Sequence, residues 1–318
     1  MDGGAVSGGG FTPPVAGLTE DGGATGRAGS RRGTGSRAEP VSWRVRTRDG
    51  IVLRALDWAG EPGRTPLLCL TGICRTAEDF ADVAARHAGR RRVVALDYVG
   101  HGGSEPAAEL SRYTPEAVLS DVLDVVAALH LPRAAVVGTS FGGLMAMFLS
   151  LIRPGLLRGV LLNDVGPTIE TDGMAVVTAF AGHDPGFASL EESIPYLKTV
   201  MPRIPLPDEA AWRRFADLTY RRGADGLYHP RWDTRIVRAF DAGGGGGEFG
   251  SVFRGLRDVP TALVWGEESE ILGWPTVARM LRDKPDLELI RFPGAGHAPT
   301  LTEAAIVPAV DGFLDGIA

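Results

Sequence analysis

The chain has almost no cysteine: Cys69 and Cys74 are the two it holds in 318 residues. They lie in one short stretch and match no zinc-ligand spacing. That leaves no basis for a disulfide framework or a metal site and makes a reducing cytoplasm the expected compartment. An excess of positive charge is missing too. With 33 Lys and Arg against 39 Asp and Glu, the net charge is −6, which offers no electrostatic footprint for a nucleic acid or an anionic membrane surface. Nor is there an unbroken apolar run of membrane length. Ala134 to Ile152 carries no charge, but Gly138-Thr139-Ser140-Phe141-Gly142-Gly143 interrupts it at the centre. A buried strand, a tight turn and a buried helix account for these letters better than one spanning helix does.

What is present is apolar mass: 44% of the residues are hydrophobic, enough for a real core, in a length that allows two modest domains or one domain with a large insertion. Residues 1–38 stand apart. They are rich in Gly, Ser, Thr and Arg, and their few large side chains cannot offset the entropy of ordering, so a disordered tail is expected. Arg31-Arg32 is followed by no apolar segment, and Asp2, Glu20 and Asp21 weaken an organelle-targeting reading, so export is not expected.

From Val41 onward, short β-rich runs alternate with helical stretches, the order that signals a mostly parallel sheet with helices on both faces. Asp49-Gly50 between two alternating runs is a hairpin signal. Strands are predicted over 66–70, 92–97, 134–138, 157–163, 261–265 and 287–292, and helices near 77–87, 115–129, 142–151, 275–282 and 303–314. The stretch from Asn163 to Thr261 is far too long for a simple crossover. It holds amphipathic pieces at 193–201 and 209–220 and many aromatics, which most simply form a core of their own. Residues 167–258 are therefore expected to be a mostly helical cap inserted between core segments 39–166 and 259–318, with Gly243 to Gly247 as a flexible hinge.

Gly138-Thr139-Ser140-Phe141-Gly142 matches G-x-S-x-G. With 44 glycines in the chain, the letters alone carry little, and the setting carries the weight. The motif follows an apolar strand and opens an apolar helix, as a strained strand-to-helix elbow requires. A serine there lies beside helix N-terminal N–H groups that can hold a developing oxyanion, so Phe141 N–H is one candidate donor. Ile73 N–H, in Leu70-Thr71-Gly72-Ile73-Cys74, is the second. A phosphate-binding loop would need a lysine where Leu144 stands. Six histidines compete as base for Ser140. His297 is favoured, because its Gly-rich loop follows the last strand and can reach back over the sheet edge; His101, in another glycine loop, is the main rival.

These residues resemble the α/β-hydrolase superfamily, in particular its capped, esterase-like serine hydrolases. The likeness runs from about Val41 to the C-terminus and rests on the elbow, the Leu70-Thr71-Gly72-Ile73 loop, Asp97-Tyr98-Val99-Gly100-His101-Gly102-Gly103-Ser104, and Gly294 to His297. It implies a structural role for His101 and a chain order of serine, acid, histidine. It also implies an acid in the loop after the penultimate strand, where this chain departs by offering only Glu267, Glu268 and Glu270. Glu270 aligns best with the expected position, and a glutamate can orient an imidazole because the role is electrostatic. Asp164, at the end of the preceding strand, is the alternative acid. Thr71 is a second departure, standing where a histidine is common.

The expectation is a cofactor-free, metal-free cytoplasmic serine hydrolase of a small-molecule ester or related acyl compound, using Ser140, His297 and Glu270. Ser140 in place of an aspartate disfavours dehalogenase and epoxide hydrolase chemistry. C–C bond hydrolysis and perhydrolysis remain open, as does a non-catalytic ligand-binding homologue. Neither nucleic acid nor membrane is an expected partner, and the sequence does not fix the oligomeric state.

Overall fold

The computed structural model describes residues 17–21, 39–168, 171–242 and 249–317. Eleven strands are found among them: β1 (Leu18–Glu20), β2 (Val41–Arg46), β3 (Val52–Trp58), β4 (Leu67–Leu70), β5 (Val93–Leu96), β6 (Ala134–Thr139), β7 (Leu157–Asn163), β8 (Tyr220–Arg222), β9 (Tyr228–Pro230), β10 (Thr261–Gly266) and β11 (Glu288–Phe292). Nine form one sheet in the order β1-β2-β3-β5-β4-β6-β7-β10-β11. The run from β5 through β4, β6, β7 and β10 to β11 is parallel, while β1, β2 and β3 extend it antiparallel. This is the α/β architecture expected from the sequence. The hairpin at Asp49-Gly50 is present, with Gly50 at φ 96° as such a turn demands.

Ten α-helices are found among the described residues: α1 (Ala81–His87), α2 (Pro115–Ala128), α3 (Phe141–Ile152), α4 (Thr171–Ala181), α5 (Leu190–Val200), α6 (Glu209–Thr219), α7 (Val237–Ala242), α8 (Gly250–Arg254), α9 (Trp274–Asp283) and α10 (Val307–Asp315); α2, α3 and α9 cover one face of the sheet and α1 and α10 the other. Side-chain alternation along each strand divides the core in two. On β4 and β6, Leu68, Leu70, Ala134 and Val136 join the cluster under α2, α3 and α9. Leu67, Cys69, Ala135 and Val137 face the other way, against Phe80, Val83, Val310 and Leu314. α2 begins where its sequence says it should: Thr114 accepts a hydrogen bond from Ala117 N–H, and Pro115 occupies the first turn, where its missing N–H costs nothing.

The segment between β7 and β10 carries α4 to α8 and the β8–β9 hairpin. Phe180, Phe187, Tyr196, Tyr220 and Trp232 pack ring on ring within it, as an internal core should. It docks through backbone bonds onto the loop after β5, where Gly102 N–H donates to Arg231 C=O and Asp233 N–H to Gly100 C=O.

One expectation needs correcting. Leu18–Glu20, inside the stretch read as a disordered tail, forms an edge strand paired with Trp43 to Val45. The pairing draws on backbone groups, which a composition argument does not see. The rest of that tail, and the glycine run at 243–247, lie outside the described residues. No helix among the described residues is long and apolar enough to cross a membrane.

Candidate active site

β6 ends at Thr139 and α3 begins at Phe141, which leaves Ser140 alone to turn the chain. It does so at φ 51° and ψ −117°, a strained conformation for a residue with a Cβ. Close packing explains the neighbouring glycines: a Cβ on Gly142 would fall 2.0 Å from Leu70 C=O, and one on Gly138 2.5 Å from Gly142 C=O. The elbow is pinned from the next strand, since Ser140 N–H donates to Asn163 C=O at 2.9 Å.

His297, in the loop after β11, places Nε2 2.9 Å from Ser140 Oγ. Its Nδ1 lies 2.8 Å from Oδ2 of Asp164. The other oxygen of Asp164 accepts from Gly266 N–H at 3.0 Å, and the residue is fully buried at φ 55°. Hydroxyl, imidazole and carboxylate thus form one hydrogen-bonded chain. With Nδ1–H donated to a carboxylate, Nε2 is the nitrogen left to accept the serine proton.

Asp164, and not the expected Glu270, meets the imidazole. The Glu270 carboxylate turns to Arg203 Nη1 at 3.3 Å. Glu268 also pairs with Arg203, and Glu267 with Arg291. All three glutamates are exposed or partly so and answer to arginines, while the protected position beside His297 is filled from the end of β7.

The remaining histidines are occupied elsewhere. His101 is buried with both ring nitrogens against backbone carbonyls, Nδ1 2.9 Å from Val99 and Nε2 2.7 Å from Ile73. It braces the loop after β4. His87 meets Asp311, His229 sits between Asp184 and Asp225, His130 faces Ala128 C=O, and the His183 ring packs on Tyr196. Of the candidate oxyanion donors, Ile73 is buried and shares a cavity wall with Ser140. Phe141 is the first residue of α3, ahead of the helix's internal hydrogen-bond ladder, and its ring stands edge-on to Tyr98.

Ser140 and His297 open onto a cavity of about 670 Å³. The inserted segment supplies much of its wall, including Val177, Phe180, Ile204, Leu206, Phe215 and Leu218. The wall is largely apolar and suits an acyl or alkyl group of modest size. Cys74 also lines it; its thiol is pushed far above the ordinary range by burial and is no rival nucleophile at neutral pH. Among the described residues no group of three or more His, Cys, Asp or Glu is placed to hold a metal ion.

Sequence reasoning missed Asn163 and Arg203. Asn163 stands beside Asp164 with nothing in the letters to single it out, and Arg203 meets its glutamates only through the fold.

The sequence profile of the Alpha/beta hydrolase family matches residues 67–309. The chain belongs to that family. It is 30% identical over 269 residues to the 3-hydroxybutyrate-oligomer hydrolase of Cupriavidus necator, covering 82% of this chain and 92% of the other. It is 27% identical over 258 residues to the 2-(acetamidomethylene)succinate hydrolase of Mesorhizobium japonicum, covering 79% and 90%. Among solved structures, an α/β hydrolase from Novosphingobium aromaticivorans superposes with a TM-score of 0.83 at 31% identity, over 88% of this chain and 99% of the other. Membership accounts for the sheet order and for the placement of the elbow at the sheet's carboxyl edge.

Proposed function

We propose that this member of the α/β-hydrolase family is a serine hydrolase that cleaves esters of small carboxylic acids through a Ser140–His297–Asp164 triad. The observation that carries it is the unbroken hydrogen-bond chain from Ser140 Oγ through His297 to Asp164, facing an apolar cavity. His297 Nε2 takes the Ser140 proton as Oγ attacks the carbonyl carbon. The negative charge that develops on the carbonyl oxygen is held by the N–H groups of Ile73 and Phe141. The imidazolium, stabilised by Asp164, returns the proton to the leaving alkoxide, and an alcohol departs. Water then repeats the sequence on the acyl-enzyme: His297 removes its proton, the acid forms, and Ser140 recovers its hydrogen.

The inserted segment acts as a cap, supplying the wall that selects the substrate. The likeness to a 3-hydroxybutyrate-oligomer hydrolase over most of both chains supports short hydroxy-acid esters as the first substrates to try. The test is hydrolysis of a 3-hydroxybutyrate dimer and of p-nitrophenyl esters of increasing length, by the wild type and by Ser140→Ala. A serine mechanism requires a loss of several orders of magnitude in kcat. It also requires a fluorophosphonate probe to modify the wild type at Ser140 and leave the variant untouched. Undiminished turnover by Ser140→Ala overturns the reading.

A further inference from the structure

Asn163 is fully buried at the end of β7, in register with Thr139 of β6 on one side and Val264 of β10 on the other. Three of its hydrogen bonds converge on the candidate triad from two directions. Its backbone C=O accepts from the N–H of Ser140 at 2.9 Å. Its side-chain Nδ2 donates to Oγ1 of Thr139, the residue before the serine, at 3.1 Å. The same Nδ2 donates to the C=O of Pro299, two residues after His297, at 2.8 Å. Pro299 C=O can only accept, which fixes the amide orientation, and Oδ1 is left buried with no hydrogen-bond partner among the described residues. A buried acceptor left unpaired is unfavourable, so the amide is oriented for its donor end, which faces two loops the chain must hold together.

We propose that Asn163 is a positioning residue that sets the distance between Ser140 and His297 by tying the nucleophile elbow and the histidine loop to one side chain; this rests on the triad reading above. Asp164 orients the imidazole from behind through Nδ1. Asn163 governs the other dimension, how far the loop carrying the imidazole stands from the elbow carrying the hydroxyl. No atom of Asn163 touches the substrate in this scheme. It acts through Thr139 and Pro299, and both oxygens of Asp164 keep their own partners, His297 and Gly266, without it.

The experiment uses the full chain as wild type, Asn163→Ala, Asn163→Asp, Thr139→Val and Ser140→Ala, assayed on a p-nitrophenyl ester that the wild type turns over. Fluorophosphonate titration and thermal melting run alongside. Asn163→Ala removes both side-chain bonds, and Asn163→Asp keeps the shape but loses the donor. Thr139→Val removes only the acceptor on the elbow side, in a strand that welcomes valine. Loss of positioning gives a kcat on the order of tenfold to a hundredfold below wild type in the Asn163 variants. KM stays within about threefold, and probe modification of Ser140 slows in parallel; Thr139→Val falls between these variants and the wild type. A merely structural asparagine would lower the melting temperature and leave kcat per titratable site unchanged. Wild-type kcat in those Asn163 and Thr139 variants that fold, with Ser140→Ala inactive, overturns the proposal. If Ser140→Ala itself turns over at the wild-type rate, the triad reading fails instead, so the two failures are distinguishable.

Discussion

The N–H of Gly296, next to the candidate base, donates to the carbonyl of Arg203 in the inserted segment at 2.9 Å. The loop that carries His297 is thereby fastened to the wall of the apolar cavity. Contact is close enough that a Cβ on Gly296 would stand 2.6 Å from the Arg203 Cβ. Gly296→Ala must push the loop and the insert apart, and kcat/KM for esters should fall roughly tenfold or more, since small displacements at the reacting atoms are expensive. Gly294→Ala is the control in the same loop. Its Cβ meets nothing within 4 Å, but φ is +75°, so it should cost about 1 kcal/mol of stability and leave kcat nearly intact.

Asp164 and Glu270 are separated by a kinetic comparison. Asp164→Asn keeps the shape of the side chain but favours the wrong imidazole tautomer, and a loss of about 10³- to 10⁴-fold in kcat follows where an acid of this kind is neutralised. Glu270→Gln weakens one half-exposed pair with Arg203, of a kind that contributes about 1 kcal/mol or less. Its kcat should stay within about threefold of wild type. Steady-state rates on one ester decide the matter, and a larger loss in Glu270→Gln than in Asp164→Asn would reverse the assignment.

Ser140 was legible because its signal is local: an apolar strand, a turn that only small residues permit, and an apolar helix lie within twenty residues of one another, roughly. His297 was legible because a Gly-rich loop after the last strand ends at the same sheet edge. The acid was not. Which of four carboxylates meets the imidazole depends on where Arg203 and Gly266 N–H sit, and Arg203 lies 67 residues from Glu270 in the chain. The edge strand at Leu18–Glu20 was hidden for a related reason, since its glycine-rich surroundings outweigh three residues whose contribution is a backbone ladder.

Glycines at two positions should respond in opposite directions. Gly142→Ala would place a methyl 2.0 Å from Leu70 C=O, and backbone cannot yield that far, so soluble folded protein should be lost. Gly312 lies exposed inside α10, and an added Cβ there meets nothing within 4 Å. Gly312→Ala should stabilise by about 0.5–1 kcal/mol, because alanine has less backbone freedom to lose and continues the helix. Chemical denaturation of the two variants beside the wild type checks both signs.

Asp121 on α2 carries a stability cost that depends on pH. Burial raises its carboxyl to about 6, against the pull of Arg112, with Asp49 and Asp124 adding repulsion. Oδ2 has no hydrogen-bond partner among the described residues. For an acid whose folded value is raised, the folded state binds the proton more tightly than the unfolded chain does. Folding is therefore penalised above about 6, and the penalty fades as pH falls from about 6 towards the ordinary value of 3.8. Asp121→Asn removes the charge and leaves Arg112 its contact with Asp49 at 2.5 Å. The variant should melt about 2 °C or more above wild type at pH 8, and the gap should narrow at pH 5. A gap that is constant across that range, or that widens towards acid, would show that desolvation of this carboxylate does not govern the difference.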